Sequence, residues 1–506
     1  MEKFLDNRFT EQQMFYDDKG LFLKNKEALL KTSKVTVVTP VYNAEKFLSK
    51  TIDSVINQSL QFENIKFILV DDHSTDSSRS ILWDYAERYE NIVAVFLKDN
   101  TGSPSTPRNI GIELANSDYI CFLDADDWLK EDCLEYLISI LDETGDDYAV
   151  GKTIKETSTG SRLIGEHQSC MERRSVSPFS VPNMFHHMGS NAKIMKRQLL
   201  IDHNIRFPNM KYAEDKQFYM EVIIHSKTIS TTKHAISFLN RLDENGTSLT
   251  TQTDVFEKMD TNLKVIEHIK KKNLPIEQEK MVLNRLYEFD FIIQLFDPAH
   301  FSESHNKEAY YAKFQEALDT AASLDYDISE NFFYPLSQAV YQLYQQGKYT
   351  SLEALVKWNT EENNKQYLIK DNLPYMIVPF LKGPLRYIRV PMLATYKTDY
   401  LSRKRDSLEF HVFGDYTQHI NGLVFRNKKN VTEEYVFDFE VENIGGEISF
   451  TATTPLKAFP PSSFDKFIRY DSFRKLRFVQ PAQVQFAQAN YKSLVENPKT
   501  VESKLS

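Results

Sequence analysis

Apolar and polar positions along this chain fall into short continuous runs separated by amphipathic stretches. Val35-Thr36-Val37-Val38-Thr39-Pro40 is a β-branched run closed by a proline. Ala44 to Gln58 then carries helical spacing through Phe47, Ile52, Val55 and Ile56. Phe67-Ile68-Leu69-Val70 predicts a second buried strand, followed by Asp71-Asp72 and a helix from about Ser77 to Tyr89. Ile92 to Leu97 predicts a third strand, and a helix follows from about Pro107 to Asn116. Tyr119 to Leu123 predicts a fourth strand before a helix through Leu141. Continuous apolar strands alternating with helices indicate an α/β domain on a mainly parallel sheet, since both faces of such strands must be covered.

The texture then changes. Residues 150–249 mix short strands and loops with a helix at Ala213 to His225. Residues 255–358 read as helical, and Phe256, Met259, Leu263, Ile266 and Ile269 recur at helical steps as a core-facing stripe. A Pro-punctuated stretch from Leu373 to Pro391 marks another change. Beyond it, Leu408 to Val412 and Tyr435 to Val441 alternate with period two, and Gly445-Gly446 is placed to turn the second run into Glu447 to Ala452 as a hairpin. The expected segments are an N-terminal helical extension (1–33), an α/β domain (34–254), a helical region (255–370), and a linker with a β-rich C-terminal module (371–506).

Bulk properties narrow the classes. The 506 residues exceed one ordinary domain, and 41% hydrophobic with 26% charged residues is a soluble globular balance. A net charge of −10 argues against a nucleic-acid partner, which needs a basic surface to release counterions. Three cysteines, Cys121, Cys133 and Cys170, lack metal-like spacing and suggest a reducing compartment. Met1-Glu2-Lys3 leads into mixed charge, so no signal peptide is expected. No run reaches the roughly 20 apolar residues of a membrane span. The expected location is cytoplasmic. The basic segments Lys382 to Val390 and Arg403-Lys404-Arg405 could meet an anionic polymer or the inner membrane face, or be a solvated linker.

Candidate chemistry collects at the carboxyl ends of the predicted strands, where open parallel sheets bind ligands. Tyr42-Asn43, Asp71-Asp72, Asn100 and Asp124/Asp126 follow strands one to four in turn. Asp72 can accept from a base N–H and Tyr42 can face a planar ring, which together would seat a nucleobase. Asp124-Ala125-Asp126-Asp127 closes an apolar run with three carboxylates. Such a cluster suits a divalent cation that also holds phosphate oxygens, or is a solvated acidic turn. Arg108, in the first turn of a helix after a Gly/Pro loop, suits a phosphate contact or an ion pair with an acid. Glu214-Asp215 stand where acids favour the first turn of a helix.

Val38-Thr39-Pro40-Val41-Tyr42-Asn43-Ala44-Glu45, Val70-Asp71-Asp72-His73-Ser74-Thr75-Asp76, Pro107-Arg108-Asn109 and Asp124-Ala125-Asp126-Asp127-Trp128 occur in the order found in family-2 glycosyltransferases. The chain resembles that family over about residues 34–250. Within it, Gly102 to Asn109 and the stretch from Lys193-Ile194 through Asn204 to Pro208 and on to Asp215 are most similar to wall teichoic acid glycosyltransferases of Gram-positive bacteria. Ser103 stands where their loop usually has a second glycine.

The resemblance implies a GT-A fold, an inverting reaction and a UDP-sugar donor. It implies that Pro40, Tyr42 and Asp72 contact uridine, with Asn100 and Arg108 nearby on the nucleotide. Asp124 would lie at the ribose or metal, and Asp126 would ligate Mn²⁺ or Mg²⁺. Asp215 would be the general base, with Glu214 orienting sugar or acceptor, and Arg241 and Ser248 would fall in a loop closing on the diphosphate. The expected activity is transfer of GlcNAc, GalNAc or glucose to a hydroxyl of an anionic cell-surface polymer such as teichoic acid. An exopolysaccharide or capsule transferase, or a non-catalytic carbohydrate-binding scaffold, is the alternative. The resemblance also allows a homo-oligomer built through the C-terminal regions. A haloacid-dehalogenase-like phosphatase fits less well, because Trp128 stands where that pattern has Thr.

Overall fold

A computed structural model describes residues 14–243, 253–397, 407–444, 447–453 and 458–487. The chain divides into two compact units, Met1–Thr261 and Asn262–Ser506. The first unit is built on an eleven-stranded sheet. Its strands are β1 (Leu21–Lys24), β2 (Ser33–Val41), β3 (Ile65–Asp71), β4 (Ile92–Leu97), β5 (Ser117–Phe122), β6 (Trp128–Leu129), β7 (Tyr148–Thr157), β8 (Gly160–Ile164), β9 (Arg173–Val176), β10 (Lys193–Lys196) and β11 (Ile229–Arg241). The path runs β1-β4-β3-β2-β5-β10-β7-β11-β6, with β8 on β7 and β9 on β11.

The centre, β4-β3-β2-β5, is parallel. Chain order runs outward from β2 in one direction to β3 and β4, and β5 then adds on β2's other side. That reversal opens a crevice at the carboxyl ends of β2 and β5. Helices α1 (Leu48–Ile56), α2 (Ser78–Arg88), α3 (Ser105–Leu114) and α4 (Cys133–Thr144) connect these strands and cover the sheet. All residues of β3 and β4 are buried, as their unbroken apolar runs require. Gly111 lets α3 lie against β2: a Cβ there would come within 2.2 Å of Val38 Cγ1.

Some expectations shift. The predicted helix from Ala44 begins only at Leu48, after a loop that Ala44 and Glu45 anchor. Ala44 N donates to Ser78 Oγ at 2.9 Å and Glu45 N to Asp76 Oδ2 at 3.1 Å, tying the loop after β2 to the loop after β3. The expected N-terminal helical extension is, over its described part, an edge strand and a 3₁₀ turn at Lys26–Leu30. Phe22 draws it onto the sheet by stacking on Trp83 at 6.0 Å. Residues 1–13 lie outside the described residues.

The second unit has a helical part and three small sheets. The helix Val255–Lys270 spans the division; Met259, Ile266 and Ile269 of its expected stripe are fully buried. Ile276–Asn284, Lys307–Ala321, Pro335–Gln345 and Tyr349–Glu361 follow as helices, with a π-helical stretch at Arg285–Ile293. The Pro-punctuated stretch is folded rather than a loose linker: Leu373–Ile377 pairs on both sides, with Gln366–Lys370 and Tyr387–Arg389.

A five-stranded and a four-stranded sheet share a core in which Phe410 stacks on Phe450 at 5.4 Å. The Tyr435-to-Val441 run is not one strand. Glu434–Phe437 pairs in the four-stranded sheet and Glu440–Ile444 in the five-stranded one, so the chain changes sheets at Asp438-Phe439. Glu440–Ile444 does pair antiparallel with Glu447–Thr453, while Gly445-Gly446 lie outside the described residues.

Candidate active site

The four strand ends converge, and side chains from the following loops lock them together. The Tyr42 ring, just past β2, is 54% exposed over the crevice end of the sheet. Asn43 holds a left-handed φ of 48° and its Oδ1 accepts from Thr75 N at 2.8 Å, which fixes the loop beneath Tyr42. Pro40 pairs with Val70 inside the sheet.

Asp72, past β3, is buried. Its Oδ1 accepts from both the amide and the hydroxyl of Thr101, at 2.9 and 2.8 Å. Burial pushes its carboxyl pKa up against these hydrogen bonds. The amide of Asn100 donates to the Asp72 carbonyl at 2.7 Å and its carbonyl accepts from Gly102 N at 2.9 Å. Both ends of the Asn100 side-chain amide thus help to shape the loop after β4.

Arg108 is the hub. It sits in the first turn of α3, 4% exposed, with Nη2 donating to Asp124 Oδ1 at 2.7 Å and Nη1 to Glu214 Oε1 at 2.9 Å. Its planar fork joins the end of β5 to the start of the Glu214–His225 helix. Two of its five N–H groups are thus spent on holding acids from two different elements. The start of α3 is stitched to the chain before that helix. Ser105 Oγ donates to Pro208 O at 2.6 Å, while Asn109 exchanges hydrogen bonds with the Phe207 backbone at 2.8 and 2.9 Å. Phe207 in turn stacks on Phe218 at 3.8 Å.

The three carboxylates after β5 have three environments. Asp124 Oδ2 accepts from Ser190 Oγ at 3.0 Å. Burial works to raise its pKa, but the adjoining Arg108 charge and hydrogen bonds hold it below the usual carboxylate range. The Asp126 carboxylate is 28% exposed and lies 3.9 Å from Arg241 Nη1. Asp127 is fully buried and braces the floor: it accepts from Asn191 Nδ2 at 2.6 Å and Asn240 N at 2.8 Å. Burial, then the charges of Asp126 and Asp124, push its pKa well up. Asp127 thus has a bracing role that the sequence did not reveal.

Glu214 and Asp215 open a helix whose preceding residue, Ala213, has a left-handed φ of 67°. Burial and the neighbouring Asp215 charge push Glu214 up to about 7 against the pull of Arg108. Asp215 is also raised, by burial first, and its Oδ1 accepts from Lys216 N at 2.7 Å. The segment 189–193 completes this side. Ser190 and Asn191 reach Asp124 and Asp127, and Lys193 is buried beneath them. Only Lys193 fell in a stretch carrying a sequence resemblance. Ser248 lies outside the described residues.

The comparisons agree with this architecture. The family model described as glycosyl transferase family 2 matches residues 36–203. A poly(ribitol-phosphate) beta-glucosyltransferase of Bacillus spizizenii is 34% identical over 200 residues, covering 39% of this chain and 31% of that protein. The matched part is thus about a third of that relative's length. An uncharacterized glycosyltransferase of Haemophilus influenzae is 31% identical over 221 residues, 41% of this chain and 79% of that protein. The crystal structure of Staphylococcus aureus TarS 1-349 in complex with UDP-GlcNAc superposes with a TM-score of 0.56 at 19% identity, over 70% of this chain and 99% of that one. That likeness establishes the GT-A architecture. With a parallel nucleotide-type crevice, an acid-lined strand end and these matches, the chain belongs to glycosyl transferase family 2.

Proposed function

We propose that this protein is an inverting, metal-dependent glycosyltransferase that moves a sugar from a UDP-sugar to a hydroxyl of a cell-surface glycopolymer, with teichoic acid the favoured acceptor. The observation that carries the reading is the buried Arg108 bridge between Asp124 and Glu214, beside Asp215. It supports a reading in which donor-side acids and a candidate base surround one crevice. The activity named for the Bacillus relative supports a phosphate-polymer acceptor, and the UDP-GlcNAc complex of the structural neighbour supports a UDP-sugar donor. GlcNAc, GalNAc and glucose are the candidate sugars.

In this reading Tyr42 stacks on uracil and Pro40 lines its edge. Asp72 Oδ1 is committed to Thr101, so Asp72 would meet the base through Oδ2. Asn100 and Arg108 act by holding the loop and the acids. Asp126 is the carboxylate suited to Mn²⁺ or Mg²⁺, with Asp124 beside it at the ribose or the metal. The donor set fits such an ion: one or two partly exposed carboxylates suit a cation that takes its other ligands from phosphates and water. Among the described residues no group of three or more His, Cys, Asp or Glu side chains could hold a metal alone. The ion would supply Lewis-acid stabilisation of the departing UDP.

Asp215 is the base. Burial raises its proton affinity, which suits a carboxylate that must take a proton from the attacking hydroxyl. That hydroxyl forms the new glycosidic bond at the anomeric carbon as the bond to UDP breaks, and one in-line displacement inverts the configuration. Glu214 is tied to Arg108 and serves to orient it.

Release of UDP from a panel of UDP-sugars with Mn²⁺, for wild type and Asp215→Asn, tests the proposal. Wild type is expected to turn over at least one donor. Asp215→Asn should keep UDP affinity within about threefold while transfer falls by about a hundredfold or more. A wild type that neither binds UDP nor turns over any donor would end the transferase reading. Equal loss of binding and transfer in the variant would remove Asp215 as base.

A further inference from the structure

We propose that Lys193 is a positioning residue for transfer: it fixes the 189–191 turn so that the turn keeps Asp124, on the donor side, in register with the base Asp215. The inference rests on the transferase reading above. Lys193 opens β10 and is 2% exposed. Its Nζ donates to Gly189 O at 2.6 Å and to Asn191 O at 3.2 Å. The carbonyl between them, Ser190 O, accepts from Tyr219 Oη at 3.4 Å. Three successive carbonyls are thus turned inward, an arrangement a turn adopts only where donors collect them.

The outward side of the same turn is what faces the site. Ser190 Oγ holds Asp124 Oδ2 and Asn191 Nδ2 holds Asp127 Oδ2. Gly189 lies so near the base that an added Cβ would come to 4.0 Å from Asp215 Oδ2. Tyr219 stands one helical turn after Asp215 on the same helix, so its hydroxyl ties the turn to the element that carries the base. One buried side chain therefore supports hydrogen bonds to two acids and the close approach of the turn to a third. Burying a charge against carbonyls and the Tyr219 ring, 5.2 Å away, is a costly way to hold a loop. Burial pulls the Lys193 pKa down to about 7, while the charge of Asp215 favours the protonated form.

The test compares full-length wild type, Lys193→Met, Tyr219→Phe, Ser190→Ala and Lys193→Met/Ser190→Ala. Transfer kinetics, UDP binding with Mn²⁺ and amide hydrogen exchange are measured on each. Lys193→Met is expected to lower kcat by about tenfold or more with donor KM within about threefold. Its 189–191 amides should exchange faster while β5 and β7 stay protected. Tyr219→Phe should show a smaller loss of the same kind. Adding Ser190→Ala to Lys193→Met should cost less than about twofold more, because the turn is already released.

Fully additive losses, a kcat within about twofold of wild type, or a kcat loss with unchanged exchange at the turn would overturn the proposal. Should Lys193→Met fail to fold, the same criteria apply to Tyr219→Phe and Ser190→Ala. A wild type that transfers no sugar would refute the transferase reading. The exchange comparison would still judge Lys193, and unchanged turn protection would remove it.

Discussion

Glu214 and Arg108 show how single residues set the electrostatics of this site. A carboxylate 10% exposed beside Asp215 resists ionisation, while a guanidinium 2.9 Å away favours it. Burial and the like charge win, leaving Glu214 at about 7. The sign of the consequence follows from proton counting. In the unfolded chain Glu214 loses its proton near 4.5, so between there and about 7 the folded protein holds more protons. Stability from this group therefore falls as pH rises through that window. Glu214→Gln keeps an acceptor for Arg108 but removes the titration. Thermal unfolding between pH 5 and pH 8 should show a smaller loss of Tm with rising pH in Glu214→Gln than in wild type. Parallel Tm-versus-pH curves for the two proteins would show that Glu214 does not titrate in this range. The same residue resisted reading from sequence, since acids at a helix start need no further reason. Only the position of Arg108, 106 residues earlier, gives it one.

Between elements, the contact of α3 with β2 decides where Arg108 sits. Gly111 faces Val38, and an added methyl would lie 2.2 Å from Val38 Cγ1 and 2.8 Å from Cγ2. Two effects of Gly111→Ala oppose each other. Helix propensity favours Ala by about 1 kcal/mol, whereas overpacking costs about 1–3 kcal/mol. At such short distances the clash should dominate, lowering the urea midpoint and weakening UDP binding as α3 carries Arg108 away. Adding Val38→Ala should recover part of the UDP affinity; no recovery would mean that the helix is not displaced by this contact.

The central strands were legible because each carries a short apolar or β-branched run with polar residues just beyond it. β11 was not: Thr231-Thr232-Lys233-His234 interrupt its apolar pattern, although three of those four side chains find partners at Met171, Glu172 and Asp132. Nor was the 189–193 support, because β10 enters between β5 and β7 and brings Ser190 and Asn191 to acids more than sixty positions earlier. Spacing within a sequence carries no trace of such an insertion. The split of the Tyr435-to-Val441 run was hidden for a related reason: both halves alternate in the same way, and only the shared core shows that they face it from different sheets.

Over the whole molecule, the candidate donor site belongs to one unit. Every residue placed in it, from Pro40 to Arg241, lies within Met1–Thr261. That unit has its own large apolar cluster, running from Met14 to Ile236 on and around the sheet. The β-rich part of the second unit has a separate one, from Met392 to Leu476. Independent cores make independent folding units, and a site whose parts share one core needs no other for its geometry. The place to divide the chain is set by the Val255–Lys270 helix, which crosses the division at Thr261. Cutting at the division would leave Met259 on a fraying helix end, so a fragment should keep the helix whole and stop in the turn after it. A 1–275 fragment is expected to unfold cooperatively and to bind UDP in Mn²⁺ with a Kd within about threefold of the full chain. Titration calorimetry on both proteins provides the measurement. A folded fragment that binds more than about tenfold more weakly would show that residues beyond 275 shape the nucleotide site. The role of the second unit would then lie in the donor step rather than beyond it.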